Sequence, residues 1–104
     1  MIIVNTNNIE GKEISEYLGI VKGSSVRARN VGRDFMAGLK NLIGGEIDEY
    51  TKLLTDSREE AMKRMKEEAT KLNADAILNV RLTTSAVMQG AAEILAYGTA
   101  VKLK

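Results

Sequence analysis

The spacing of apolar residues changes twice along the chain, from period two to helical and back again. The opening MIIVNT, residues 1–6, predicts a short strand, and NTNNIEGKE supplies the Asn and Gly of a turn. ISEYLGIVKGSSVRA, residues 14–28, predicts a second strand. At a period of two, Leu18 and Ile20 share one face while Tyr17, Gly19 and Val21 share the other. Apolar residues on both faces predict a strand covered twice. Gly19 and Gly23 weaken it locally and mark a bulge or a close approach by another backbone.

From Val31 the period becomes helical. Val31, Phe35, Leu39, Leu42 and Ile43 predict a helix of about three turns, with Asn30 as N-cap and Gly44 and Gly45 ending it. A second stripe of Ile47, Tyr50, Leu54, Ala61, Met65, Ala69 and Leu72 predicts one helix over 46–73. Ser57 and Glu60 form a capping-box pattern that would instead break it near residue 56; the uninterrupted stripe favours one helix. Its outer face spaces Glu59 and Lys63, Glu60 and Arg64, and Glu67 and Lys71 four residues apart.

Two strands follow. In DAILNVRLTTS, Ala76, Leu78, Val80 and Leu82 alternate with Ile77, Asn79, Arg81 and Thr83, an apolar face opposite a mostly polar one. VMQGAAE predicts the turn. EILAYGTAVKLK then carries Leu95, Tyr97, Val101 and Leu103 on one face, and the small track Ile94, Ala96, Gly98 and Ala100 on the other, suited to close packing by a helix or a neighbouring backbone. The expected architecture is a single α+β domain over 1–104, ordered β-β-α-α-β-β, with helices on a mainly antiparallel sheet.

Length gives this pattern a consequence. A helix over 46–73 spans roughly 40 Å, whereas a globule of this size has a radius of gyration of about 13 Å. Such a helix overhangs its own domain, and another subunit is the simplest cover. A domain of 104 residues is also only marginally able to bury a core alone.

Composition narrows the function. The net charge is +1 and aromatic residues are 4%, which argues against nucleic acid as a partner because field and stacking platform are both weak. There is no Cys, so no disulfide. The apolar start is too brief for a signal peptide, and the window 86–101, with Gln89 and Glu93, falls short of a membrane span; a cytoplasmic location is expected.

Candidate chemistry is sparse. Thiolate and imidazole ligands are missing with zero Cys and zero His, and the Met residues at 36, 62 and 65 lie in or beside helical stripes, where they fill cores. Asp34, Glu46 and Asp48 could form a hard-ion site, but no calcium-loop spacing is present, so neither metal nor cofactor is expected. An enzyme would have to use acidic residues such as Asp34 and Glu46 as acid and base; pairing of these with Arg is the commoner use, and no catalytic residue is assigned. Arg27 and Arg29 share a strand face, and Arg33 lies in the first turn of the first helix. Together they could cradle a small anionic ligand. The preferred alternative is an intersubunit ion-pair lattice: Arg29 or Arg33 meets Asp34, Glu46 or Glu93 of a neighbour, Arg81 joins from its strand, and Gly38 permits close helix contact. The track Ala96, Gly98 and Ala100 belongs to the same candidate interface.

RNVGRDFMAGLKNLIGGE, then Tyr50, Leu53, Leu54, Arg58, Ala61 and Met65, then ADAILNVR and AYGTAV, resemble the YbjQ-like family, often labelled heavy-metal-binding. The resemblance covers nearly the whole chain. It implies an α+β subunit similar to dodecin-like folds, assembled as a ring-shaped homopentamer, with no established biochemical function. The expected role is a non-catalytic homo-oligomeric scaffold for a small ligand; the alternatives are a metal-binding protein and an enzyme using acidic residues.

Overall fold

The computed structural model describes residues 1–27, 46–88 and 91–104. Four strands and one helix are found among them: β1 (Ile2–Ile3), β2 (Ile14–Arg27), α1 (Glu46–Lys71), β3 (Ala76–Met88) and β4 (Ala91–Leu103). They form one sheet ordered β1-β3-β4-β2, with α1 packed on one face. The α+β class matches expectation, but the sheet is mixed: β1 runs parallel to β3, while β3–β4 and β4–β2 are antiparallel. The helix expected over 30–43 lies outside the described residues.

The 26-residue α1 is continuous, and Ser57 sits buried in mid-helix instead of capping a second one. Ala61, Met65 and Ala69, four residues apart, are fully buried against the sheet. Its end is a Schellman turn: Ala74 N–H donates to Ala69 O at 3.1 Å, Asn73 N–H to Thr70 O at 3.0 Å, and Asn73 takes φ 60°.

Two glycines of β2 meet the two needs raised by the sequence. Gly19, at φ 112°, sits at a register shift against β4, so Leu18 and Val21 both contribute to the core under the helix although an unbroken strand would set them on opposite faces. Gly23 brings the strand against the α1 backbone at Ala61, Arg64 and Met65. Double coverage of the strand is not found among the described residues, since Tyr17 and Ile20 are 68% and 75% exposed.

The expected alternation of β3 is also broken. Its pairing with β4 shifts between Leu78 and Arg81, and Asn79 adopts φ 53°. One extra residue moves Val80 from the side of Ala76 and Leu78 to that of Ile77, in the helix-side core. Ala76, Leu78 and Val101 instead form a second small core under Val4, Ile9, Ile14 and Leu103, built by the chain's own first turn. Asn79 tolerates the left-handed backbone because its short amide suits it. Asn79→Ala is therefore expected to cost about 1 kcal/mol and Asn79→Gly to be near neutral, as read from urea unfolding midpoints.

Strands β3 and β4 run on through Val87, Met88, Ala91 and Ala92, residues expected to form the turn. The result is a hairpin of two 13-residue arms, roughly 43 Å long. The molecule measures 54 × 25 × 16 Å with a radius of gyration of 16.9 Å, well above the roughly 13 Å of a compact domain this size.

Candidate functional site

The face of the sheet turned away from α1 carries a chemically varied surface among the described residues. Antiparallel register places side chains in rows across it. Ile20 lies opposite Thr99, which faces Leu78; Lys22 lies opposite Tyr97, which faces Arg81. Ser24, Leu95 and Thr83 form the next row, then Val26, Glu93 and Ser85. Ile20 and Val26 are 75% and 54% exposed and Tyr97 is 38% exposed, so apolar side chains stand on this face among Ser, Thr and the charged Lys22, Arg81 and Glu93.

Arg81 is held within the chain. Its guanidinium donates to Asn5 O at 2.9 Å and Val80 O at 3.0 Å, fastening the first segment to the β3 bulge. This contact was not legible in the sequence, since it joins residues 76 positions apart. The small track also does intramolecular service. Ala96 and Ala100 are fully buried in the helix-side core, and a side chain at Gly98 would come within 2.7 Å of Ile77 Cγ2 and 2.8 Å of Leu78 O. Arg27 ends β2, pairing with Ala92, and Glu46 opens α1. Their side chains, together with Arg29, Arg33, Asp34 and Gly38, lie outside the described residues, so the Arg cradle and the acidic lattice keep the status of expectations.

Sequence reasoning missed the contacts along the free edge of β2. Lys22 N–H donates to Glu68 Oε1 at 3.3 Å, and Arg64 Nη1 donates to Ser24 O at 2.5 Å. Arg64 is in turn held by Glu60 at 3.1 Å, one of the three anticipated helix pairs. At roughly half exposure this pair contributes well under 1 kcal/mol by itself; its use is to aim the guanidinium at the strand. Only the stride of four along the helix hinted that Glu60, Arg64 and Glu68 act together.

Soft and borderline metals find no thiolate or imidazole donor here, and the hard-ion candidates Asp34, Glu46 and Asp48 lie outside the residues whose side chains are described. The chain has neither Cys nor His, and no group of three or more carboxylates is gathered among the described residues. Met65 is fully enclosed, and Met62 packs partly buried against the same core. Nor is any helix among the described residues long and apolar enough to cross a membrane.

These features define a small α+β domain whose second sheet face is covered at one end by the first segment and open at the other, with long strand edges. The chain belongs to the YbjQ family: the family model described as "Putative heavy-metal-binding" matches residues 1–104. It is similar to UPF0145 proteins from Archaeoglobus fulgidus, 58% identical over all of this chain and 96% of the relative, and from Halorubrum lacusprofundi, 58% identical over the full length of both. A similar relative from Photobacterium profundum is 58% identical over 99% of this chain and all of its own. Among solved structures, a protein of unknown function of the DUF74 family from Pediococcus pentosaceus matches with a TM-score of 0.66 at 20% identity, over all of this chain and 98% of its own. That likeness supports the fold alone. The metal in the family description finds no thiolate or imidazole donor in this chain.

Proposed function

We propose that the protein is a non-catalytic scaffold that works by assembling with copies of itself, and that the assembled ring is the unit that binds a small anionic ligand. The observation that carries this is the part of the helix-free sheet face that the first segment leaves open, where Tyr17, Ile20, Val26 and Tyr97 stand at 38–75% exposure. Single exposed apolar residues are ordinary, but a group of them over two adjacent strands marks a contact surface. The total area agrees. At 7179 Å² the chain exposes about 1,400 Å² more than the roughly 5,800 Å² expected for a compact monomer of 11.4 kDa. A standard interface takes about 800 Å² from each partner, so the surplus suits a subunit with a neighbour on either side.

A ring of five, as the family resemblance implies, gives a native mass about five times that of the chain, with Arg27, Arg29 and Arg33 supplying the cationic ligand contacts. Native mass spectrometry at micromolar concentration tests the assembly: a particle of 11.4 kDa would overturn it. Ile20→Lys is expected to weaken association by at least about tenfold, because a branched side chain loses roughly 1.5–3 kcal/mol of burial and a charge must be desolvated. Dilution followed by light scattering measures that loss.

A further inference from the structure

The two outer edges of the sheet are treated differently. Antiparallel strands point the N–H and C=O of alternate residues toward opposite sides. Lys22 N and Ser24 O are bound by α1 side chains, so in β2 the even-numbered residues from Ile20 to Val26 face outward and Gly23 faces β4. Glu68 and Arg64 stand there as a substitute strand, the carboxylate accepting from the Lys22 N–H and the guanidinium donating to the Ser24 carbonyl. Four residues of helix rise about 6.0 Å and two residues of strand about 6.6 Å, so one turn of α1 matches one repeat of the edge. Such capping blocks pairing by another chain.

The edge of β3 carries no such cap among the described residues. Carrying the alternation across β4 directs the backbone groups of Arg81 and Thr83 toward β4, and those of Leu82, Thr84 and Ala86 outward. Before the bulge, whose extra residue reverses the parity, it is Ile77 that faces outward, and its carbonyl accepts from Val4 N–H at 3.0 Å. The segment 2–6 occupies this edge only as far as Val80, whose N–H donates to Val4 O at 3.0 Å. Beyond it, LTTSAVM (82–88) has no charged residue and no Pro, and residues 81–86 are all exposed. This is a β-favouring, uncharged, open strand, the kind that soluble proteins keep covered.

We infer that the outward edge of β3 at Leu82, Thr84 and Ala86 is a strand-pairing site occupied by a second copy of this chain. The inference rests on the assembly proposed above and specifies one of its contacts. The occupant is a copy because the edge offers no charge to recognise an acidic or basic partner, and because the apolar face beside it and the surplus of exposed area call for a neighbour of the same surface chemistry. One edge is closed and the other open, so the copy meets this edge with a segment other than its own capped β2 edge.

Amide hydrogen exchange on the intact protein, followed by mass spectrometry across a dilution series, tests it together with Thr84→Pro. The Thr84 N–H faces outward, so proline there spares the ladder to β4 and removes the contact with the neighbour. The expected result is protection of 82–88 that rises with concentration in step with the oligomer. Thr84→Pro should keep the circular dichroism spectrum of the wild type while the oligomer fraction falls at least tenfold. Thr84→Lys should act in the same direction without altering φ. A wild-type oligomer in which 82–88 exchanges as fast as a free strand overturns the inference and leaves the assembly standing. So does protection that is equally strong in the dilute monomer, which would mean that the chain covers its own edge. A wild-type protein that is monomeric at every concentration overturns the assembly itself.

Discussion

Gly23→Ala is expected to be the most damaging single-methyl change among the described residues, lowering stability by about 3 kcal/mol or more in urea denaturation. A Cβ there would lie deep within van der Waals contact of the Ala61 carbonyl oxygen and the Met65 amide nitrogen, and 2.7 Å from the Arg64 carbonyl carbon. All three are backbone atoms of α1, so no rotamer change relieves the overlap. The helix must lift off the sheet along the line where Ala61, Met65 and Ala69 are fully buried. For a domain whose whole stability is of order 5–15 kcal/mol, that is a large share. The same displacement pulls Arg64 and Glu68 away from Ser24 and Lys22, so the variant should also uncover the β2 edge. A variant that unfolds at the wild-type midpoint would show that helix and strand do not meet as described.

Met65→Ala comes next, with an expected loss of about 2–5 kcal/mol. Met65 is the largest fully buried side chain among the described residues, reaching from the middle of α1 into the core formed with Val21, Ile77 and Ala96. Its neighbours across the interface are small or held in strands, so collapse around the cavity is restricted and the cost lies toward the upper end. Met62, on the adjoining flank and only partly buried, should cost markedly less when changed to alanine. Parallel unfolding curves of the two variants provide the check; equal losses would mean that Met65 is not the centre of the packing. A metal role for Met65 predicts instead that its removal leaves stability unchanged in the absence of metal.

The candidate site was less legible than the fold. The charge of Arg81 marks it as a candidate in the sequence, yet the structure spends that charge on the Asn5 and Val80 carbonyls. Ala96 and Ala100 were noticed because small residues at a period of two demand a close neighbour, and the neighbour is the chain's own helix. Lys22, Ser24, Arg64 and Glu68 drew no attention as a group, because two lie on a strand and two on a helix about 40 residues away. Pairing across such distances depends on how the helix is laid over the sheet, which no local pattern encodes.

What the sequence determined by itself follows from local chemistry. The stripe at 3.6 residues required α1, the terminal runs at period two required β3 and β4, and two glycines in β2 signalled a bulge and a close approach. Tertiary structure alone decided the parallel docking of β1, the left-handed turn at Asn79 that carries Val80 into the helix-side core, and which strand edge is capped and which left open. The physical reason is that periodicity records which side of an element must leave water, whereas register and edge pairing are settled by hydrogen bonds between distant segments. Those bonds are much alike in strength wherever they form, so only the packing of the whole chain selects among them.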